Sequence, residues 1–362
     1  MTTPDRRLDA IDLLERSIER AIDTGASVED DRFAIAGSTV TFRFVGAAAR
    51  PLLTQALGHL RGLDAAGDGL HVDVLDGAAA DAGLSPLLEF VMRSAGVANL
   101  GTRHEIPELT ADGSRAIAIP WDGVLAMYDR DLARAWVWIA DHTALPLWDF
   151  GAPFRSVLNW WLSDHAKHCV HAAAVGNDHG AVLLTGKGGS GKSTSALACL
   201  GSQLRYLSDD YCIVEAGGDP EVHSMYSTGK LRGETDLARF PHLRPWVSNI
   251  ERIGEEKQLM FLADHVPEAL MTSAPLRAIL LPTVVPEGPT RVEPISGGAA
   301  LKALAPTSMF QLPDSGPAAF AAMASLVKRV PSYVMHSGPE IHTIPTVIET
   351  LLAELAQGAA DA

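Results

Sequence analysis

Cysteine is scarce. Cys169, Cys199 and Cys212 stand apart, with no C-x-x-C pair among them. That fits a reducing compartment, and it excludes a disulfide framework or a cysteine-based zinc site read from spacing alone. Positive charge is also short: 29 Lys and Arg against 44 Asp and Glu give a net charge of −15. A general nucleic-acid binder carries the opposite balance, so no nucleic-acid partner is expected. Long apolar runs are missing. The first residues hold no signal-like apolar segment and no run would span a bilayer, which makes a cytoplasmic protein without a membrane partner the expectation. Internal repeats and low-complexity tracts are absent as well. Apolar residues, in contrast, make up 47% of a 362-residue chain, enough for a sizeable core and for two domains.

The first half reads as mixed α+β. The spacing predicts a helix over Pro4 to Ala26, with Leu8, Ile11, Leu14, Ile18 and Ile22 on one face. A hairpin turning at Gly37-Ser38 follows, then a helix over Pro51 to Leu60, a strand at His71 to Leu75 and a helix over Pro86 to Ser94. Three short strands come next, Ala116 to Ile119, Val124 to Tyr128 and Ala135 to Ile139. They are separated by turn residues at Trp121 to Gly123 and Asp129 to Asp131. Trp136 and Trp138 share a strand face, which points to core packing. A helix over Pro153 to Ser163 carries Trp160 and Trp161. Pro146, Gly151 and Pro153 cluster between these segments, so the expected division is an N-terminal domain over 1–150 and a second domain over 151–362. No motif assigns a role to the first.

The second half carries the chemistry. Gly180 to Thr194 reads as a buried strand, a glycine-rich loop and a helix start, and Gly186 to Ser193 fits G-x-x-x-x-G-K-[ST]. Gly186, Gly188, Gly189 and Gly191 let the backbone of Lys187 and Ser190 fold into a nest for phosphate oxygens. A helix from Ser193 through Thr194 to Leu200 would add the positive end of its dipole. In such a loop Lys192 reaches the β- and γ-phosphates of ATP, and the Ser193 hydroxyl binds Mg²⁺. The expected fold class is therefore α+β / α/β, a mixed domain followed by a P-loop domain.

Leu204 to Asp210 reads as a strand ending in two carboxylates, where a metal-binding acid belongs in this type of site. Neighbours in a strand face opposite ways, so Asp209 and Asp210 are expected to take different jobs, one on metal and one on substrate. His171 opens an apolar strand, His171 to Val175. If that strand pairs antiparallel with the next, the histidine lies beside the loop, though His165, His168 and His179 are also nearby. Strands at Arg277 to Pro282 and Tyr333 to His336, helices at Ala299 to Leu304, Ala318 to Lys328 and Pro345 to Leu355, and a frayed tail complete the expectation.

His171, the P-loop ending at Ser193 and Asp209-Asp210, in that order, resemble the catalytic domain of the HPr serine kinase/phosphorylase family. The resemblance covers roughly His171 to the mid-230s and extends loosely beyond. It implies His171 and Asp209 at the reacting hydroxyl, with Asp209 as general base, and Asp210 and Ser193 near Mg²⁺. It also implies a homo-oligomer. One segment departs: Lys230-Leu231-Arg232-Gly233 puts a lysine where that family carries a carboxylate. The first half does not resemble the family's regulatory domain. A divergent relative is implied, of the sort found among tailoring kinases of ribosomal peptides such as lasso peptides, where a hydroxyl of a precursor peptide is phosphorylated. The expected function is thus an ATP- and Mg²⁺-dependent kinase acting on a serine of a peptide or small protein. The alternatives are a small-molecule hydroxyl kinase and a nucleotide-dependent switch.

Overall fold

The computed structural model describes residues 3–66, 68–78, 104–110, 113–119, 122–313 and 316–360. The helix expected over Pro86 to Ser94 and part of the turn at Trp121 to Gly123 lie outside the described residues. The chain divides into two compact units. One comprises residues 1–55, 60–165 and 312–314; the other comprises 56–59, 166–311 and 315–362. Helices and mixed sheets occur in both. Among the described residues no helix is long and apolar enough to cross a membrane.

The first unit is a helix on a six-stranded sheet. Helix α1 (Thr3–Asp23) buries Ala10, Ile11, Leu14, Ile18 and Ala21, while Leu8 at its start stays exposed. Strands β1 (Val28–Ile35) and β2 (Ser38–Val45) form a hairpin closed by Ala36 and Gly37, both at positive φ. That two-residue turn matches the right-handed twist of its strands. With β3 (Asp68–Asp76), β4 (Ser114–Ile119), β5 (Val124–Asp129) and β6 (Arg134–Ile139) the order is β1-β2-β3-β6-β5-β4. Trp136 and Trp138 are buried in the core shared with α1, as their common strand face implies. Helix α2 (Arg155–Asp164) buries Trp160 and Trp161.

The second unit is a nine-stranded sheet with helices on both faces. Its strands are β7 (Lys167–Val170), β8 (Ala173–Asn177), β9 (Gly180–Leu184), β10 (Arg205–Ser208), β11 (Cys212–Glu215) and β12 (Glu221–Ser224). A separate ribbon, β13 (Thr228–Arg232) with β14 (Lys257–Phe261), stands beside it. The sheet closes with β15 (Ser273–Val284), β16 (Arg291–Ile295) and β17 (Ser332–Ser337). The path runs β10-β8-β9-β15-β12-β11-β7, with β17 also on β15 and β16 on β17; only β9–β15 and β15–β17 are parallel. Buried residues of β8, β9 and β15 alternate between two cores. One core includes residues of α3 (Lys192–Ala198) and α6 (Ile344–Ala360), and the other includes residues of α4 (Gly297–Gln311) and α5 (Pro317–Arg329). Helix α6 runs to Ala360, and Ile348, Leu351 and Leu352 anchor its first half in the core.

The burial of one histidine predicts a pH dependence for the stability of this unit. His59 Nε2 lies 2.6 Å from Ser224 Oγ, whose own proton goes to the Leu207 carbonyl. The ring therefore donates from Nε2, and its Nδ1 is buried with no partner. Burial lowers its pKa from 6.5 to about 4. Between those values the unfolded chain binds more protons than the folded one, so stability is lost as pH falls through this window. Roughly 3 kcal/mol is at stake, taking ~1.4 kcal/mol per pKa unit. The chain's unfolding midpoint is expected to drop from pH 6.5 to 4, and His59→Gln should flatten that slope. Equal slopes in variant and wild type would exclude His59 as the cause.

Candidate active site

The glycine-rich loop follows β9 directly. Gly186, Gly189 and Gly191 have φ of 140°, 81° and 105°, which side-chain-bearing residues rarely adopt. Around Gly188 and Gly189 the space a Cβ would fill is open, so the loop surface is accessible to a ligand. Helix α3 starts at Lys192 with Gly191 as its cap. Lys192 is 7% exposed, and its Nζ donates to the carbonyls of Gly186 at 2.8 Å and Lys187 at 3.4 Å. Burial lowers its pKa, and the Asp209 and Asp210 carboxylates oppose that shift.

The sheet register delivers the other groups to the same place. β8 runs antiparallel to β9 with Ala173 opposite Leu184, so the start of β8 lies beside the loop. His171 precedes that start, and its backbone N–H donates to Ser308 Oγ at 2.9 Å. β10 pairs with β8 from the other side, Ser208 opposite Ala174, which brings Asp209 alongside. β11 begins with Cys212 opposite Val170, so the link from Asp209 to Tyr211 crosses close to His171.

That link differs from the sequence expectation. Asp209 and Asp210 do not alternate along a strand; they sit in a bend between β10 and β11, with Asp210 in the left-handed region at φ 64°. The Tyr211 N–H donates to the Asp209 carbonyl at 2.8 Å, and Ser208 Oγ donates to the Tyr211 carbonyl at 2.7 Å, which fixes the bend. The contacts made by the two acids run opposite to the expected pairing. Ser193 Oγ donates to Asp209 Oδ1 at 3.0 Å, whereas His171 Nε2 lies 3.7 Å from Asp210 Oδ1.

The two acids also differ electrostatically. Asp209 is 1% exposed; burial and the neighbouring Asp210 charge push its pKa up, against the Ser193 and Asp210 N–H hydrogen bonds. Burial acts upward on Asp210 too, but Lys230, His171 and Lys257 hold its carboxyl well below the usual range. Lys230, on β13, donates directly to Asp210 Oδ2. Gly229 lets β13 approach α3 closely, since a Cβ there would meet Leu197 Cδ2 at 2.9 Å.

A cleft joins these groups. His171, Gly188, Gly189, Gly191, Lys192, Ser193, Thr194, Asp210 and Lys230 line it, together with Arg232, Asp236, Arg239 and Lys257. Asp209 lies behind Ser193. Sequence reading missed Arg239 and Lys257. Lys257 follows from the β13–β14 ribbon, where it pairs with Arg232 across a register no short-range motif announces, and Arg239 lies just past the short helix Gly233–Leu237 that follows β13. The residues fit a divalent cation: Asp209 Oδ2 is buried without a hydrogen-bond partner next to the Ser193 hydroxyl, an arrangement of hard oxygen donors.

No family model matches the chain, and no curated protein matches it in sequence. Among solved structures it is similar to the Hpr(Ser) kinase/phosphatase from Coxiella burnetii. The sequence identity is 15%, the match covers 53% of this chain and 99% of that one, and the TM-score is 0.30. The likeness is distant.

Proposed function

We propose that the chain is an ATP- and Mg²⁺-dependent kinase that transfers the γ-phosphoryl group to a serine hydroxyl of a peptide or small protein. The observation that carries this reading is one cleft lined by Lys192 of a glycine-rich loop, by Ser193 with Asp209 behind it, and by the His171–Asp210–Lys230 cluster. The loop amides and Lys192 would hold the phosphates. Ser193 and Asp209 would hold Mg²⁺, which when bound neutralises charge on the phosphates. Asp210 would orient the acceptor hydroxyl and take its proton as the oxygen bonds to phosphorus and ADP leaves. His171 would position Asp210 or relay that proton. Phosphoryl transfer of this kind is loose, so orientation matters more than base strength. A carboxylate held strongly ionised by Lys230 suits that role. The peptide acceptor rests on the sequence resemblance.

The metal assignment has its own test. Ser193→Ala and Asp209→Asn each remove an oxygen donor or its charge, so both should raise the Mg²⁺ concentration needed for half-maximal ATP turnover. Wild-type Mg²⁺ dependence in both variants would place the metal elsewhere. Incubation with γ-labelled ATP and serine-containing peptides, read by mass spectrometry, tests the acceptor. Tight nucleotide binding with no transfer to any hydroxyl, peptide or small-molecule, would favour a nucleotide switch.

A further inference from the structure

A second cluster lies on the β11–β12 ladder and shares no residue with the cleft lining. In that register Glu215 stands opposite Glu221 and Ile213 opposite His223. Side chains two apart along a strand, and those directly across, share a face, so Glu215, Glu221 and His223 converge. Two carboxylates directly across a ladder repel each other. Lys167, opposite Glu215 on the other side, places its ammonium 3.9 Å from Glu215 Oε2 and relieves that acid in part.

His223 supplies the second observation. The residue is 8% exposed, and its Nε2 is buried with no hydrogen-bond partner. That nitrogen faces Glu215 Oε2 at 3.8 Å and Glu221 Oε2 at 3.9 Å. The three potential donor atoms all lie within 4.8 Å of one another. Such spacings are too long for hydrogen bonds. They approach the separation of donors around one ion, since metal–ligand bonds of about 2.0–2.2 Å put neighbouring ligands about 3–4 Å apart.

We propose that Glu215, Glu221 and His223 form a binding site for a divalent cation of the zinc class, which ties β11 to β12 and cancels the opposition of the two carboxylates. One imidazole nitrogen with two carboxylates suits Zn²⁺, Co²⁺ or Ni²⁺ better than Mg²⁺ or Ca²⁺, which prefer oxygen throughout. Burial lowers the His223 pKa, opposed in part by Glu221 and Glu215.

The test is Zn²⁺ titration of the chelator-treated, full-length chain by calorimetry, in millimolar Mg²⁺. One Zn²⁺ per chain is expected. His223→Gln should abolish binding, and Glu221→Gln, at a partly exposed position that tolerates the change, should weaken it by at least the ~10-fold that losing even an outer partner of a metal ligand costs. Lys167→Met should tighten it several-fold, because a competing ammonium is removed. Variants of the cleft, His171→Asn and Asp210→Asn, should bind Zn²⁺ as the wild type does. The proposal is overturned if the wild-type chain binds no Zn²⁺ at micromolar concentrations. It is equally overturned if binding survives Glu221→Gln and His223→Gln but is lost in the cleft variants. Neither result bears on the kinase reading.

Discussion

Replacing Lys192 with alanine is expected to weaken Mg²⁺·ATP binding by tenfold or more. The ammonium is nearly buried and already aimed along the loop, bonded to the Gly186 and Lys187 carbonyls. It is thus held where phosphate oxygens would meet it, with little side-chain freedom left to lose. A hydrogen bond to a charged partner is worth about 1.5–3 kcal/mol, and about 1.4 kcal/mol is a factor of ten, so losing one such contact sets the lower bound. The variant also leaves the Gly186 carbonyl short of a donor. Circular dichroism and a melting curve should therefore accompany the binding isotherm. Lys192→Met, which keeps most of the side-chain volume, controls for packing. Unchanged ATP affinity in a folded variant would remove the phosphate role from this loop.

Asp210→Asn should give the largest effect on turnover. The amide matches the carboxylate in shape but cannot take the hydroxyl proton, and a positioned base typically contributes ~10²–10⁴-fold. The loss should appear in kcat with ATP affinity nearly intact. There is a structural side effect to separate, because the substitution strips Lys230 of its counter-ion at a 7%-exposed position. Breaking such a pair from one side costs on the order of 3 kcal/mol. The double variant Asp210→Asn with Lys230→Met removes both charges and should recover most of the stability but none of the rate. If it recovers the rate as well, Asp210 is a structural partner of Lys230 and not the base. His171→Ala should cost less, and its defect should not multiply with that of Asp210→Asn, since the two act as one unit.

Much of the candidate site is legible in the sequence. The loop is readable because its residues are local: each glycine, Lys192 and Ser193 sits within eight residues, and β9 leads straight into it. The antiparallel β8–β9 pairing assumed from the sequence is the one observed, and it sets the start of β8 beside the loop. The orientation of the two acids was not legible. Alternation along a strand holds only while the strand continues, and it stops at Ser208 because Asp210 turns left-handed. An aspartate tolerates that conformation better than most residues, but nothing in the bare pair Asp209-Asp210 announces it. Lys230 stands out in the sequence as a departure, yet its contact with Asp210 depends on β13 lying against α3, which a single glycine at 229 permits. The six-stranded sheet was read only as separate pieces, since its parallel β2–β3 and β3–β6 pairings join segments far apart in sequence.

The twelve-residue strand β15 has a consequence for how the second unit comes apart. It is hydrogen-bonded to β9, β12 and β17, and it contributes Ala278 and Leu280 to one core and Leu276 and Ile279 to the other. Neither face of the sheet can be exposed without disturbing this strand, so the two helical layers are expected to melt together. In hydrogen exchange the amides of Ile279 and Leu280 should therefore belong to the slowest class. They would be released only by opening of the whole unit, while amides of the β13–β14 ribbon, outside the main sheet, exchange through smaller fluctuations.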